Sequence, residues 1–346
     1  MTSWRMLLLP FSFLYGAGVG LRNWLFERNV LRSTKVSVPV ISVGNVSAGG
    51  VGKTPIVEFI ARELQAKKRK VAVLSRGYGR KTRGYVVVSN GRQRCAEAGE
   101  SGDEPAQLAE KLSGVVVAVD EQRVRGAQHV IRDFGVDVIV LDDGFQHRYL
   151  RRDLDVVIVS AEEVMGPRFL LPAGRQREGF AALGRAHVIG ISRCKDARQF
   201  ESLRENIRRF VDKPIFGFRN KAKRIIPAKM ATQKKTAGND KTAVIFSGIG
   251  NPGSFEETVN SLGWNIRKQF VFTDHHWYKE SELKTIEQSR LDNHAAMILT
   301  TEKDVARLKS SEIGQAFLNS PEVGYVEIEA EIIAGQDVMR DALDRF

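Results

Sequence analysis

From residue 36 onward, apolar residues form short and almost continuous runs that helix-like segments separate. The first six runs are Val38–Gly44, Val71–Gly77, Gly114–Val119, Val136–Asp143, Leu154–Ser160 and Ala186–Ser192. Strands that are buried on both faces show this pattern, whereas half-exposed strands alternate apolar and polar residues. The runs therefore predict an α/β fold in which helices cover both faces of a parallel sheet.

The same pattern divides the chain into parts. The segment Arg219–Lys241 is polar, basic and poor in aromatic residues, which favours a linker or an exposed excursion. Further apolar runs follow at Thr242–Gly250, Ala295–Thr301 and Gly324–Ile332. A chain of 346 residues is longer than one compact core usually holds. We predict a main domain over 36–200, a linker or exposed excursion over 201–240 and a smaller α/β domain over 241–346.

The N-terminal residues 1–35 differ from the rest of the chain. The run Met6–Leu21 carries no charge, and arginines at 5, 22, 28 and 32 flank it. A helix that spans a bilayer needs about 20 apolar residues, and this run is shorter and contains Pro10 and glycines. A signal peptide or a helix in the protein's own core would also fit. We interpret it as a membrane-associated segment that lies in the interface.

A glycine-rich stretch follows the first apolar run and precedes a segment with helical periodicity. Such a turn directs backbone N–H groups and the positive end of a helix at one point, where a phosphate binds. The pattern of a P-loop requires glycine first and a Lys-Thr or Lys-Ser pair last. Here serine stands at the first position. The predicted nucleotide-binding loop consists of Ser47, Ala48, Gly49, Gly50, Val51, Gly52, Lys53 and Thr54.

Two other strand ends carry charged side chains that suit a nucleotide site. Asp142 and Asp143 end a buried run, where a P-loop enzyme places its magnesium-side carboxylate. Arg76 follows the run Val71–Gly77, and arginine suits phosphate groups. Because ligands bind at the carboxyl ends of parallel strands, these residues are expected near the phosphate loop. A solvated turn and a basic surface loop are the alternatives.

Eight motifs in fixed order resemble one family, the tetraacyldisaccharide 4'-kinases that act in lipid A biosynthesis of Gram-negative bacteria. They span about residues 5 to 308 and read "GNVSAGGVGKTP", "LSRGYGR", "GDEP", "LDDGFQHR", "LLPAGRQRE", "GIGNPGSF", "DHHWY" and "TEKD". The chain departs from the family at Gln176–Gly179, where "QREG" stands in place of the common "LREP". That difference leaves Arg177 and Glu178 in place.

The resemblance implies a kinase that uses ATP and Mg²⁺. It would transfer the γ-phosphate to the 4'-hydroxyl of a tetraacylated glucosamine disaccharide 1-phosphate and so form lipid IVA. It further implies an anionic inner-membrane surface as partner, a position on the cytoplasmic face of that membrane, no nucleic acid and no obligate protein partner. The apolar N-terminus is similar to the family's membrane-associated segment.

The resemblance also suggests roles for individual residues. Asp103 would accept the proton, with His275 or the adjacent His276 as its partner, and Lys53 would stabilise the transferring phosphoryl group. Thr54, Asp143 and Glu178 would hold the metal, with Asp142 nearby. For residues 302–304 there are two alternatives, a contact with the adenine and the acidic first turn of a helix. The further candidates for phosphate binding are Gln146, His147, Arg123 and Arg177.

Two other functions would use some of the same features. A soluble P-loop kinase of small molecules, or a GTPase-like switch, would need the phosphate loop and Asp142, but it would not need the apolar N-terminus. A nucleic-acid-binding protein would use the net charge of +12. It should interleave basic and exposed aromatic residues, and only 8% of this chain is aromatic.

Overall fold

The computed structural model describes residues 7–228 and 241–346. Its centre is one twelve-stranded sheet in the order β10-β9-β11-β12-β8-β7-β6-β1-β5-β2-β4-β3. Most neighbours are parallel; β8 with β12 and β3 with β4 are antiparallel. The strands are β1 Val40–Asn45, β2 Val71–Ser75, β3 Val86–Asn90, β4 Val116–Val119, β5 Val138–Asp142, β6 Leu154–Ser160, β7 Val188–Ser192, β8 Ile215–Pro227, β9 Thr242–Ser247, β10 Asn265–Val271, β11 Met297–Thr301 and β12 Val323–Ala334.

Helices cover both faces of the sheet, as the continuous apolar runs predicted. Ile41, Val43 and Val140 join a core with the helix after the phosphate loop, and Ile139 and Leu141 face a second core on the other side. The helices are α1 Leu9–Glu27, α2 Lys53–Ala66, α3 Ala98–Ser101, α4 Asp103–Lys111, α5 Arg123–Phe134, α6 Ala161–Met165, α7 Ala197–Arg208, α8 Pro252–Ser261, α9 Glu280–Asp292, α10 Glu302–Leu308, α11 Glu312–Leu318 and α12 Gln336–Leu343.

The segment 201–240, predicted as a linker or exposed excursion, contains regular structure over its first part. Most of α7 and all of β8 lie there, and residues 229–240 fall outside the described residues. The basic side chains that suggested a linker pair across the β8–β12 ladder instead: Arg219 and Lys221 contact Glu331, and Arg224 contacts Glu327. A strand pair whose side chains face water tolerates this polarity, since its cohesion comes from backbone hydrogen bonds and cross-strand charge pairs.

The predicted domain boundary at residue 241 does not separate the C-terminal residues completely from the main part of the sheet. After β12, α12 packs on the main part of the sheet, where Met339 and Leu343 join the core beside α2. Lys67, which caps the end of α2, donates to the backbone oxygen of Leu343 at 2.6 Å. The chain therefore leaves the main part through β8 and returns to it through β12.

Helices α4 and α10 join the two parts on one side of the molecule. Lys111 Nζ lies 2.7 Å from Glu58 Oε2, 3.1 Å from Glu302 Oε1 and 2.7 Å from the backbone oxygen of Ile328. Burial raises the pKa of Glu302 to about 7, although the neighbouring Lys111 opposes this rise. The ordinary pairing of a buried cation with two carboxylates thus fixes α2, α4 and α10 relative to one another.

Helix α1 attaches to the body through a few polar contacts and exposes most of its apolar side chains. Ser12 is buried; its hydroxyl donates to Leu170 O and accepts from Ala173 N, both at 3.0 Å. No helix among the described residues has the length and apolarity that a bilayer crossing requires. The side chains of Leu7, Phe11, Phe13, Leu14, Leu21 and Trp24 are each at least half exposed.

Candidate active site

The phosphate loop ends where α2 begins, with Lys53 as the first helical residue. Gly52 precedes it at φ 88°, a left-handed conformation that glycine adopts without steric cost. Helix α2 carries its buried face on Ile56, Ile60 and Leu64, which keeps its positive end fixed against the sheet. The strand–loop–helix arrangement expected of a nucleotide-binding loop is therefore present.

Lys53 takes part in a polar network that sequence reasoning reached only in part. Its Nζ lies 3.1 Å from Asn45 Oδ1 and 3.4 Å from Asp143 Oδ1. Asn45, at the end of β1, also donates to the backbone oxygen of Ser47, and Gln146 Nε2 donates to Asn45 O at 2.7 Å. Asn45 orients both the loop and its lysine. Asn45 belongs to the motif "GNVSAGGVGKTP", but an asparagine at the end of a strand does not by itself indicate a site residue.

The segment 169–178 supports the phosphate loop from the side of α1. Ser47 pairs with Gln176 in a β-bridge, and Ala48 N donates to Arg175 O at 2.7 Å. Arg177 N donates to Val46 O, also at 2.7 Å. These backbone contacts give the loop, whose first glycine position is occupied by Ser47, a fixed path.

The two adjacent aspartates at the end of β5 occupy different environments. Asp142 is buried, and burial raises its pKa to about 6, with the neighbouring Asp143 adding to the rise and Lys53 opposing it. For Asp143, burial also favours the protonated form, but Lys53 and Arg177 outweigh it and lower the pKa. Arg177 Nη1 lies 2.9 Å from Asp143 Oδ2. Asp143 thus stays ionised beside two cations.

Further cationic groups surround this edge of the sheet. Arg123 is buried at the start of α5, and burial together with Arg76 lowers its pKa to about 10. Burial and Arg123 likewise lower the pKa of His147 to about 4, so the imidazole is neutral near pH 7. The Nε atom of Arg123 is buried and has no hydrogen-bond partner among the described residues. Buried cationic donors of this kind favour a bound anion.

Asp103 and His275 lie together although 172 positions separate them in sequence. His275 Nδ1 is 2.8 Å from Asp103 Oδ2, and this hydrogen bond is the main cause of a raised pKa of His275. His276 points elsewhere, since its Nε2 lies 2.9 Å from Glu282 Oε2. Asp103 begins α4, and His275 lies in the turn after β10. The geometry selects His275 as the partner of Asp103.

The Asp103–His275 pair connects to the aspartates of β5 through the loop after β2. Gly102 has φ 92°, and a Cβ there would lie 2.7 Å from the backbone oxygen of Tyr78, so α4 begins directly against that loop. At the start of the loop, Ser75 Oγ donates to Asp142 Oδ2 at 3.2 Å. Glu104, next to Asp103, contributes to the raised pKa of Asp142. Both groups therefore belong to one polar site.

The comparison with known families agrees with this geometry. The model of the family described as tetraacyldisaccharide-1-P 4'-kinase matches residues 4–346. The chain belongs to this kinase family. A tetraacyldisaccharide 4'-kinase of Anaeromyxobacter sp. (strain Fw109-5) is 37% identical over 97% of this chain and 90% of the relative. That of Chlorobaculum parvum is 35% identical over 97% of this chain and 93% of the relative.

A solved structure of the same family confirms the fold. LpxK from Aquifex aeolicus, crystallised in complex with ATP, is 30% identical and has a TM-score of 0.80. The match covers 99% of both chains. The family resemblance, the α/β fold class and the assignment as a kinase are thus confirmed, and the roles of individual residues stay predictions.

The donor set at the phosphate loop fits the Mg²⁺ that a kinase of this family would use. Residues 7–228 and 241–346 contain no group of three or more carboxylate, histidine or cysteine side chains placed to hold a metal. Mg²⁺ commonly takes only one or two carboxylates, with phosphates and waters as its other ligands. Asp143 Oδ1 is buried, and apart from the Lys53 ammonium 3.4 Å away it has no hydrogen-bond partner among the described residues. Asp142, Asp143 and Thr54 therefore suit a hard cation.

Glu178, also predicted to bind the metal, contacts cations and an amide. Its Oε2 accepts from Asn23 Nδ2 and Arg185 Nη2, each at 2.8 Å, and Arg22 lies 3.6 Å from Oε1. Glu178 is buried, so these partners compensate its charge and tie α1 to the body. The "LLPAGRQRE" motif contained no sign of this contact, because both Asn23 and Arg22 lie on a distant helix.

The TEKD segment forms a helix start, one of its two expected roles. Thr301 caps α10 and accepts a hydrogen bond from Asp304 N. Asp304 also accepts from Tyr278 at 2.6 Å and from Gly248 N at 3.1 Å. Lys303 Nζ contacts Glu104 at 2.7 Å, beside Asp103. The segment therefore contacts α4 next to Asp103 through the Lys303–Glu104 ion pair, and only the tertiary fold reveals this contact.

Proposed function

We propose that this protein transfers the γ-phosphate of ATP to the 4'-hydroxyl of a tetraacyldisaccharide 1-phosphate, the acceptor that the names of its relatives indicate. The single observation that carries this proposal is the pairing of Asp103 with His275 at 2.8 Å, in the same polar site as the phosphate loop. A phosphate loop alone suits any P-loop enzyme. A carboxylate–imidazole pair beside it supplies the proton acceptor that an alcohol substrate needs.

The reaction step follows from the groups at hand. The 4'-hydroxyl oxygen forms a bond to the γ-phosphorus while its proton passes to Asp103. The bond between the γ-phosphorus and the β,γ-bridging oxygen breaks, and ADP leaves with the electron pair. His275 donates its Nδ1–H to Asp103 and so orients the carboxylate, and the proton that Asp103 has accepted passes to solvent after the phosphorylated lipid leaves.

The cations at the carboxyl edge of the sheet hold the phosphates in this proposal. Lys53 would contact the β- and γ-phosphate oxygens, while Arg76, Arg123 and Arg177 would bind phosphates of the nucleotide or the lipid. Thr54, Asp142 and Asp143 would hold Mg²⁺, which supplies neutralisation of charge on the β- and γ-phosphate oxygens. Preorganised charges of this kind stabilise the transition state without further rearrangement.

We also propose that α1 places the enzyme on the cytoplasmic face of the inner membrane. Six large apolar side chains of residues 7–24 are exposed, which is costly in water and favourable in a lipid interface. Arg28, Arg32 and Lys35 follow the helix, are exposed, and suit anionic headgroups. The contact of Ser12 with Leu170 and Ala173 then brings the membrane surface next to the segment that supports the phosphate loop.

Product analysis tests the proposed reaction directly. Purified protein is incubated with γ-labelled ATP, Mg²⁺ and detergent-dispersed tetraacyldisaccharide 1-phosphate. We expect label in a bisphosphorylated lipid, because the site combines a phosphate loop with a proton acceptor. A reaction without the lipid serves as the control. Labelled inorganic phosphate alone, in equal amount with and without the lipid, would reject the lipid as acceptor.

Vesicle binding tests the proposed membrane contact. The double substitution Phe13→Asp and Leu14→Asp should lower the vesicle-bound fraction at least tenfold, because each buried apolar side chain contributes about 1.5–3 kcal/mol. Both side chains are largely exposed, so the fold should persist. Sedimentation with vesicles of phosphatidylethanolamine and phosphatidylglycerol gives the bound fraction. Leu291→Asp, at an exposed leucine of α9, is the matched control. Equal binding by both variants would contradict the proposal.

A further inference from the structure

Arg307 is the largest fully buried side chain among the described residues, and its charge requires an explanation. Moving a guanidinium out of water is costly unless good partners surround it. Its Nη1 lies 3.2 Å from Asp103 Oδ2, its Nη2 donates to Gly248 O at 2.8 Å, and Nη2 also contacts Asp304 Oδ1. We propose that Arg307 is a positioning residue, which fixes the Asp103 carboxylate for proton acceptance; this rests on the proposed kinase reaction.

The hydrogen bonds of Asp103 are divided unequally between its two oxygens. Oδ2 faces both His275 Nδ1 and Arg307 Nη1, which belong to separate elements of the C-terminal part. Among the described residues, no side chain donates to Oδ1. Two donors on one oxygen prevent the carboxylate from rotating, and they leave the other oxygen to receive the proton of the acceptor hydroxyl. A general base needs this fixed geometry at hydrogen-bond distance.

Arg307 can position Asp103 because its own location is fixed. Asp304 binds Arg307 and also accepts hydrogen bonds from Gly248 N and Tyr278 Oη. One carboxylate of α10 therefore contacts the residue after β9 and the turn that precedes α9. Burial opposes the charge on Arg307, yet Asp304 and Asp103 outweigh it and raise its pKa. The cation thus stays charged at any pH at which the enzyme would work.

The charges around Asp103 set the direction of the expected effect. His275 contacts it from the turn after β10 and Arg307 from α10, while Lys303 of α10 lies close to both Asp103 and Asp274. Asp304 binds Arg307, and Glu104 follows Asp103 on its own helix. Lys303 is paired with Glu104 and Arg307 contacts Asp103 directly. Arg307→Gln removes a positive charge 3.2 Å from Asp103 Oδ2, and the loss of a nearby cation favours the neutral form of a carboxyl group.

The decisive variants are Arg307→Gln, which removes the charge, and Arg307→Lys, which keeps it. We expect Arg307→Gln to lower kcat by about tenfold to 10²-fold, because misplacement of a reacting group costs that much. The acid limb of the pH profile of kcat/KM for the lipid should move to higher pH, with an unchanged KM for ATP. Arg307→Lys should return the limb toward its original position. Lys309→Gln, which removes another ion pair between α10 and α4, should leave the limb in place.

A second measurement separates this proposal from the kinase assignment. Carboxyl-carbon NMR of protein labelled with [¹³C]aspartate, assigned through Asp103→Asn, follows proton uptake by Asp103 without any substrate. Proton uptake at higher pH in Arg307→Gln than in the wild type supports the positioning role. This result is independent of the product analysis, in which a wild type that phosphorylates no lipid would reject only the kinase reaction. Unchanged uptake, or a loss of kcat that is equal at all pH values, would reduce Arg307 to a structural ion pair and overturn the proposal.

Discussion

Lys53→Ala should reduce kcat by about 10²- to 10³-fold, since removal of one preorganised donor from a developing negative charge has an effect of this size. Lys53 begins α2 and lies 3.1 Å from Asn45 Oδ1, so its ammonium group is held in place before the nucleotide arrives. An alanine there removes the charge without disturbing the buried face of the helix. Steady-state kinetics with saturating ATP measure the loss.

Controls separate this charge from general effects on the protein. Lys284→Ala removes an exposed lysine of α9 that pairs with Glu280 in its own helix, and it should leave kcat unchanged. Thr54→Ala should raise the Mg²⁺ concentration needed for half-maximal rate, because the hydroxyl is a predicted metal ligand. Near-normal turnover in Lys53→Ala would reject the assignment of this loop to the transferred phosphate.

Asp103→Ala and His275→Ala should each lower kcat by about 10²- to 10⁴-fold, the usual contribution of a general base. Their hydrogen bond makes them one functional unit, so the double variant should be little worse than the poorer single variant. The affinity for ATP should stay nearly unchanged, because neither side chain belongs to the phosphate loop. A double-mutant cycle in kcat with saturating ATP and dispersed lipid gives the coupling.

His276, which follows His275 in sequence, provides a control. His276 contacts Glu282 instead of Asp103, so His276→Ala should have a much smaller effect on kcat than His275→Ala. Losses that multiply in the Asp103 and His275 double variant would mean independent roles. A large effect at His276 with none at His275 would move the role to the neighbouring side chain and contradict the observed geometry.

The local pattern of the sequence was sufficient for most of the sheet. Buried strands such as β5 and β6 consist almost wholly of apolar residues, and each of the nine predicted runs overlaps a strand. β3, β8 and β10 were missed because their apolar stretches are short: β3 has only Val86–Val88, β8 becomes basic after Phe218, and β10 is partly exposed and carries two basic residues. The long polar ladder of β8 with β12 depends on pairing partners about a hundred residues apart.

The residues of the candidate site also form two groups, those that the local sequence indicates and those that only the fold brings together. The residue types of the phosphate loop and of Asp142–Asp143 indicate phosphate chemistry because their neighbours in sequence are also their neighbours in space. By contrast, the role of Arg307 and the contacts of Glu178 depend on groups from distant segments, and nothing within a few residues of either predicts them. The choice of His275 over His276 likewise depends on the direction of two adjacent side chains. Sequence by itself determined nine of the twelve strands of the sheet, the loop and the family. Only the tertiary structure decided which charges meet, because burial and long-range packing set those contacts.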